Sequence, residues 1–239
     1  IGANQGLTTL TGLQGLQAVG EIIVGGNQGL TSLTGLDGLA SCQRLQVELS
    51  PALTGLAGLP ADLDLGELSL SGDLAFTDFT GTPDLPAIAV LELDDCDSLE
   101  RLAGLGPLPA LQELRITGCT LLGSLAGITD LSSLEVLELM WDPALTDLTG
   151  LPPLPELSTI DLSFVSAVAS LEGLGELPGL RHLTVLRCEA LTALDGISAA
   201  PALSTLRLHE NAQLADLRFA RPAVPFLHEL EVVMCPEVG

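Results

Sequence analysis

The 239-residue chain contains no lysine and no tyrosine, and its 8 basic residues are all arginines, set against 31 Asp and Glu for a formal net charge of −23. So little positive charge removes the electrostatic footprint on which phosphate backbones and anionic lipid surfaces depend, which excludes nucleic acid and acidic membranes as partners. Aromatic residues make up only 3% of the chain, with a single Trp, so any site built on aromatic contacts must be small and local. Long apolar runs are missing too. The longest uncharged opening stretch, residues 1–20, mixes Gly, Gln and Thr among its leucines and has no basic lead-in, so these residues do not read as a signal peptide or a membrane span. The initiator Met is also absent, so we expect a segment of a longer protein, covalently continuous with further domains. What the chain does possess is apolar residues, 47% of the total, enough for a large core and incompatible with intrinsic disorder.

Those apolar residues repeat. Leu7, Leu30, Leu53, Phe76, Leu99, Leu122, Leu145, Val168, Leu191 and Leu214 stand 23 residues apart throughout. A glycine column keeps the same spacing at Gly12, Gly35, Gly58, Gly81, Gly104, Gly127, Gly150, Gly173 and Gly196. A fixed period of this length is the signature of a solenoid, and ten copies of the unit fill residues 1–239 as one domain with no linker. Within each unit a pair such as Leu114 and Ile116 alternates with period 2, predicting a short strand with Arg115 on the outer face. The run from Leu99 to Leu111 instead repeats every three residues, and Pro107, Pro109, Pro152, Pro153, Pro155 and Pro178 fall in such runs, predicting 3₁₀ or polyproline-like segments rather than α-helix. The recurrent glycine is expected where φ is positive or where a Cβ has no room. The predicted architecture is a helix-poor, α/β-type solenoid coil, right-handed by the crossover rule, with a ten-strand parallel sheet on its concave face. Residues 215–239 break the pattern at Arg218 to Pro225 and carry one extra residue before Leu230, so the last repeat reads as an irregular partial cap. The first repeat has no polar cap, and its Leu10, Leu13 and Leu16 are expected to face water.

The unit Leu111-Gln-Glu-Leu114-Arg-Ile116-Thr-Gly-Cys119-Thr-Leu-Leu122 resembles the leucine-rich repeat family over essentially the whole chain. Its short, helix-poor units are similar to bacterial internalin-type and receptor L-domain-like repeats, and those around Cys96, Cys119 and Cys188 to the arrays that end bacterial immune-type NTPases. The resemblance implies a binding scaffold rather than a catalyst. It leaves two parents open: the sensor end of a cytoplasmic immune or signalling protein, and an exported surface adhesin or receptor-like protein.

Cys96, Cys119, Cys188 and Cys235 share a column with Asn27, Asp73, Asp142 and Asn211, an inward ladder position, and Cys42 occupies a core column. An odd count without paired spacing argues against a disulfide framework, and free thiols favour the cytoplasm. His182 and His209 fall about four residues apart along neighbouring strands, roughly 13 Å, too far to share a metal ion. Glu92, Asp94, Asp95 and Asp97 are acidic enough to attract a cation but lack calcium-loop spacing, so they read as solvated charge. No nucleophile and base converge, and neither enzyme chemistry nor a cofactor is expected.

The outward strand column is polar. It runs Ile23, Gln46, Ser69, Glu92, Arg115, Glu138, Asp161, Thr184, Arg207 and Glu231. Beside it, Met140, Trp141, Phe164, Leu186, Val233 and Met234 are apolar where the pattern requires nothing apolar. Met140, Trp141, Phe164 and Leu186 are therefore the candidate anchors for a protein or peptide ligand on the concave edge, with Arg187, Glu138, Asp161, Arg207 and His209 placed to orient it and Glu210 at the border.

Overall fold

A computed structural model of the chain describes residues 1–72, 74–217 and 225–238. Its strands in chain order begin with β1 (Ala18–Gly25), β2 (Ser41–Glu48), β3 (Asp64–Ser71), β4 (Val90–Asp94) and β5 (Gly106–Pro107). The middle of the chain contributes β6 (Glu113–Thr117), β7 (Ile128–Asp130), β8 (Val136–Met140), β9 (Thr159–Ser163) and β10 (Gly175–Glu176). The series closes with β11 (His182–Leu186), β12 (Ile197–Ala199), β13 (Thr205–His209) and β14 (Glu229–Val233).

Ten of these form one parallel sheet in the order β1-β2-β3-β4-β6-β8-β9-β11-β13-β14, one strand per repeat. The period-2 pattern explains the facing. In β6, Leu114 and Ile116 are buried, while Glu113, Arg115 and Thr117 alternate with them on the outer side. The register carries the 23-residue period directly, since Leu91, Leu114, Leu137, Ile160, Leu183 and Leu206 stand side by side across the sheet. Leu206 then pairs with Leu230, so the extra residue of the last repeat is absorbed before β14. The chain is thus a parallel β-solenoid, and no α-helix or 3₁₀ helix occurs among the described residues.

The three-residue spacing has a different origin from a continuous 3₁₀ or polyproline segment. Leu99 N–H donates to Cys96 O at 2.9 Å, Leu105 to Leu102 O at 3.3 Å and Leu111 to Leu108 O at 3.1 Å. Each bond closes an isolated turn. Between turns the N–H groups reach the neighbouring repeat instead, as Glu100 does to Thr77 O at 3.0 Å and Gly106 to Gly127 O at 3.2 Å. The leucines mark the corners of the coil, and two small ladders, β5 with β7 and β10 with β12, tie the corners of adjacent repeats together. Backbone groups that a helix would satisfy internally are satisfied here between repeats.

The recurrent glycine has positive φ throughout its column, and at every place but Gly12 and Gly81 a Cβ would also lack room. Gly104 has φ +100° and Gly127 has φ +131°, and a Cβ on Gly127 would collide with the backbone of Leu102 and Ala103 one repeat earlier. Inward leucines form one continuous core from Leu10 to Leu214. The expectation that the first turn's leucines face water is corrected for Leu10, which is 2% exposed, while Leu13 and Leu16 are partly buried. An inward side chain already packs against its own coil and the next one, so losing a neighbour on one side exposes only part of it. The opposite end is the more open one, with Leu230 54% and Val232 37% exposed. Residues 218–224, on which most of the expected irregular cap falls, lie outside the described residues.

Candidate functional site

The residue immediately after each strand of the sheet adopts a left-handed conformation. All eight non-glycine residues with positive φ among those described, Ala3, Leu49, Asp95, Trp141, Phe164, Arg187, Glu210 and Met234, belong to this single column, with φ between 45° and 62°. Gly26, Gly72 and Gly118 fill its remaining places. Left-handed backbone costs an L-residue about 1–2 kcal/mol and is unusual for bulky side chains, so glycine is the inexpensive choice. The column takes it at every second place up to Gly118, and then five consecutive side chains replace it. Strain concentrated in one column is the kind of outlier from which a functional site is inferred.

Trp141 and Phe164 stack with ring centroids 3.7 Å apart and planes 11° from parallel. The guanidinium of Arg187 lies 5.3 Å from the Phe164 centroid on the far side of that pair. Arg187 in turn donates to Glu210 Oε2 from Nε at 2.7 Å and from Nη2 at 2.6 Å. Four successive repeats thereby present a file of carboxylate, guanidinium, phenyl and indole. Trp141 remains 54% exposed. A groove of about 860 Å³ runs beside the file, walled on one side by Leu49, Gly72, Asp95 and Gly118 and on the other by Asp97, Thr120, Pro143 and Ser166. Its size suits a peptide or small ligand.

The other predicted residues divide into two groups. Met140 and Leu186 occupy the last position of their strands, in one register column with Ser163 and His209, half-buried beneath the file. Glu138, Asp161 and Arg207 lie on the sheet face and are already engaged. Arg115 donates to Glu138 at 3.0 Å and to Glu92 at 3.3 Å and also pairs with Glu113. Arg207 pairs with Glu229 at 2.6 Å and Glu231 at 3.3 Å, His209 lies 3.1 Å from the same Glu231, and Ser163 donates to Asp161. Glu138 and Arg207 are thus held in ion pairs on the sheet and Asp161 in a hydrogen bond, whereas Trp141, Phe164 and Arg187 line the groove. His182 stands opposite Thr205, and His209 opposite Leu186.

Directly behind the file runs the ladder column. Cys188 N–H donates to Asn211 Oδ1 at 2.9 Å, and Asn211 Nδ2 donates to Val185 O at 2.9 Å, so Asn211 grips the preceding repeat twice. Cysteine supplies only the donor half: Cys96 Sγ reaches Leu70 O and Cys188 Sγ reaches Leu162 O, each at 3.5 Å. Burial pushes the Cys188 thiol up to about 12, and that of Cys119 is raised as well, by its hydrogen bond with the Cys96 thiol and by desolvation. All five cysteines are free and buried. Asp142 accepts from Cys119 N–H at 2.8 Å, but its Oδ2 is buried with no hydrogen-bond partner, and burial pushes its carboxyl up to about 7. In the acidic run, burial together with Asp95 and Glu92 raises Asp94 above the usual carboxylate range.

Asp95, Asp97 and Gly118 also line the groove, and reading the sequence for apolar exceptions passes over them. Their signal was present as a second glycine spacing, Gly26, Gly72 and Gly118 at intervals of two repeats, which marks the left-handed column. No group of three or more His, Cys, Asp or Glu placed to hold a metal ion occurs among the described residues, and no helix long and apolar enough to cross a membrane occurs among them. No family model, no curated protein and no solved structure matches the chain.

Proposed function

We propose that the chain is a non-enzymatic recognition scaffold of the leucine-rich repeat kind, which binds a protein or peptide along the groove beside Trp141, Phe164 and Arg187. The observation that carries this reading is the left-handed column. Five consecutive large or charged side chains stand where glycine would relieve about 1–2 kcal/mol of backbone strain each, and the two largest, exposed Trp141 and half-buried Phe164, line a groove instead of the core. A purely structural column has no use for that. Leu-x-x-Leu-x-Leu strands with a hydrogen-bonding ladder residue support the repeat class, and the resemblance to arrays in bacterial immune-type NTPases supports a role as the ligand-binding segment of a signalling protein. Buried, free thiols suit a reducing compartment.

The test is affinity capture with the chain and with the double variant Trp141→Ala, Phe164→Ala, both shown to be folded. A partner retained by the wild type and lost by the variant supports the reading. Equal recovery by both removes the groove from recognition.

A further inference from the structure

The file of side chains beside the groove is half of a symmetric arrangement. In order it runs Glu210, Arg187, Phe164, Trp141, Gly118, Asp95, one residue per repeat. Reflected about the aromatic pair, Asp95 takes the place of Glu210, and Gly118 takes the place of Arg187. On the filled side a guanidinium covers the phenyl ring and is held from behind by a carboxylate. On the other side the aromatic face and the carboxylate are both present, and the guanidinium between them is missing. We propose that this step receives the arginine side chain of a basic peptide lying in the groove, an inference that rests on the recognition reading above.

Three observations support the assignment. First, the space exists: Gly118 has no side chain, and the groove of about 860 Å³ opens over it, lined there by Asp95, Asp97, Thr120 and Trp141. Two repeat steps, about 9.6 Å, separate the backbones of Trp141 and Asp95, room for one planar group at about 3.5–4.0 Å from the indole. Second, the carboxylate is aimed into the step, because a Cβ placed on Gly118 would collide with Asp95 Oδ1. Asp95 has no cationic partner among the described residues, whereas Arg44, Arg101, Arg115, Arg187 and Arg207 are all paired with acids. Third, the whole chain carries a net charge of −23, which draws cationic ligands and repels anionic ones.

Arginine fits better than lysine for reasons of shape. A guanidinium is planar, stacks on an aromatic face and forks toward carboxylates, while an ammonium is a compact, strongly hydrated charge. A peptide fits better than a free cation because the groove continues well past the step. From Leu49 to Arg187 is six repeat steps, about 29 Å, the length of roughly eight or nine extended residues.

The experiment is selection from a displayed library of random nonapeptides against the wild-type chain, with affinities then measured by anisotropy of labelled peptides. Variants are compared only where their urea midpoints match the wild type. The expected result is a shared arginine whose replacement by citrulline or lysine weakens binding about tenfold or more. Asp95→Asn combined with Asp97→Asn should cost a similar factor and flatten the salt dependence. Selected peptides that require Trp141 and Phe164 yet tolerate citrulline, or that bind the Asp95, Asp97 variant unchanged, overturn the arginine site and leave the recognition reading standing. Failure to select any peptide whose binding responds to Trp141→Ala with Phe164→Ala overturns both.

Discussion

Replacing Asp142 by Asn should stabilise the protein at alkaline pH and have far less effect in acid. In the ladder column Asn and Cys side chains donate to the carbonyl 26 residues back, as Asn211 does to Val185 O and Cys119 to Leu93 O. For Asp142 that carbonyl is Ile116 O, and an ionised carboxylate has no proton to offer it. Oδ2 accordingly lacks a partner, and the carboxyl titrates near 7 in the folded state against 3.8 for the free group. The folded state therefore binds the extra proton. Stability from this group is complete below the unfolded value of 3.8, falls as pH rises toward 7 and is gone above it. The total is about 4 kcal/mol at 1.36 kcal/mol per pH unit, of which about 2.5 kcal/mol is lost between pH 5 and pH 8. Asparagine supplies the donor at every pH. Urea unfolding followed by Trp141 fluorescence at pH 5 and pH 8 isolates the term, because every other carboxylate contributes equally to variant and wild type. The advantage of Asp142→Asn should grow by about 2.5 kcal/mol from pH 5 to pH 8. An advantage independent of pH, or a variant weaker than wild type at pH 8, would refute the protonated-ladder argument.

Three further outcomes follow from the same geometry. Gly127→Ala should destabilise by several kcal/mol more than Gly12→Ala, since both glycines have positive φ but only Gly127 has a backbone above it, at Leu102 and Ala103; equal urea midpoints for the two variants would contradict this. Cys188, buried and with its thiol pushed up to about 12, should react with iodoacetamide at pH 8 at least about 10³-fold more slowly in the folded protein than in urea, as peptide mapping would show. Arg115→Met leaves Glu92, Glu113 and Glu138 facing one another on a half-exposed surface, so it should cost no more than about 1 kcal/mol at neutral pH and low salt, and less in 1 M salt. Thermal melts at the two salt concentrations measure it.

Most of the fold was legible because the 23-residue period is written in residues with one physical job each. Inward Leu114 and Ile116 need a core, and a glycine such as Gly127 needs its turn, so spacing translated into strand order and register without ambiguity, down to the extra residue before Leu230. The three-residue spacing was harder to translate. Leu99, Leu105 and Leu111 recur as they would in a 3₁₀ segment, yet their bonds close separate turns. Side-chain spacing records which way a residue points and not which carbonyl its N–H finds, and here the N–H groups between the turns, such as those of Glu100 and Gly106, find carbonyls of neighbouring repeats.

The site was legible only where it departed from the repeat. Trp141 and Phe164 stood out as apolar exceptions, but Asp95 read only as solvated charge in an acidic run, and a glycine on a surface, such as Gly118, breaks no pattern. Their meaning comes from the conformation of the column they share. Once φ is positive there, each glycine is the relaxed choice and each side chain a departure that something must offset. By that reasoning Glu210, Arg187, Phe164 and Trp141 are read together as a surface held against backbone strain, and Gly118 as the one relaxed place between the indole and the Asp95 carboxylate. An arginine engineered there from within tests the same geometry. Gly118→Arg should displace the Asp95 carboxylate, stack on Trp141 and close the groove, abolishing peptide binding while costing only the strain of about 1–2 kcal/mol that Arg187 already bears. A variant that still binds the selected peptides at wild-type affinity would show that the step beside Trp141 is not where they dock.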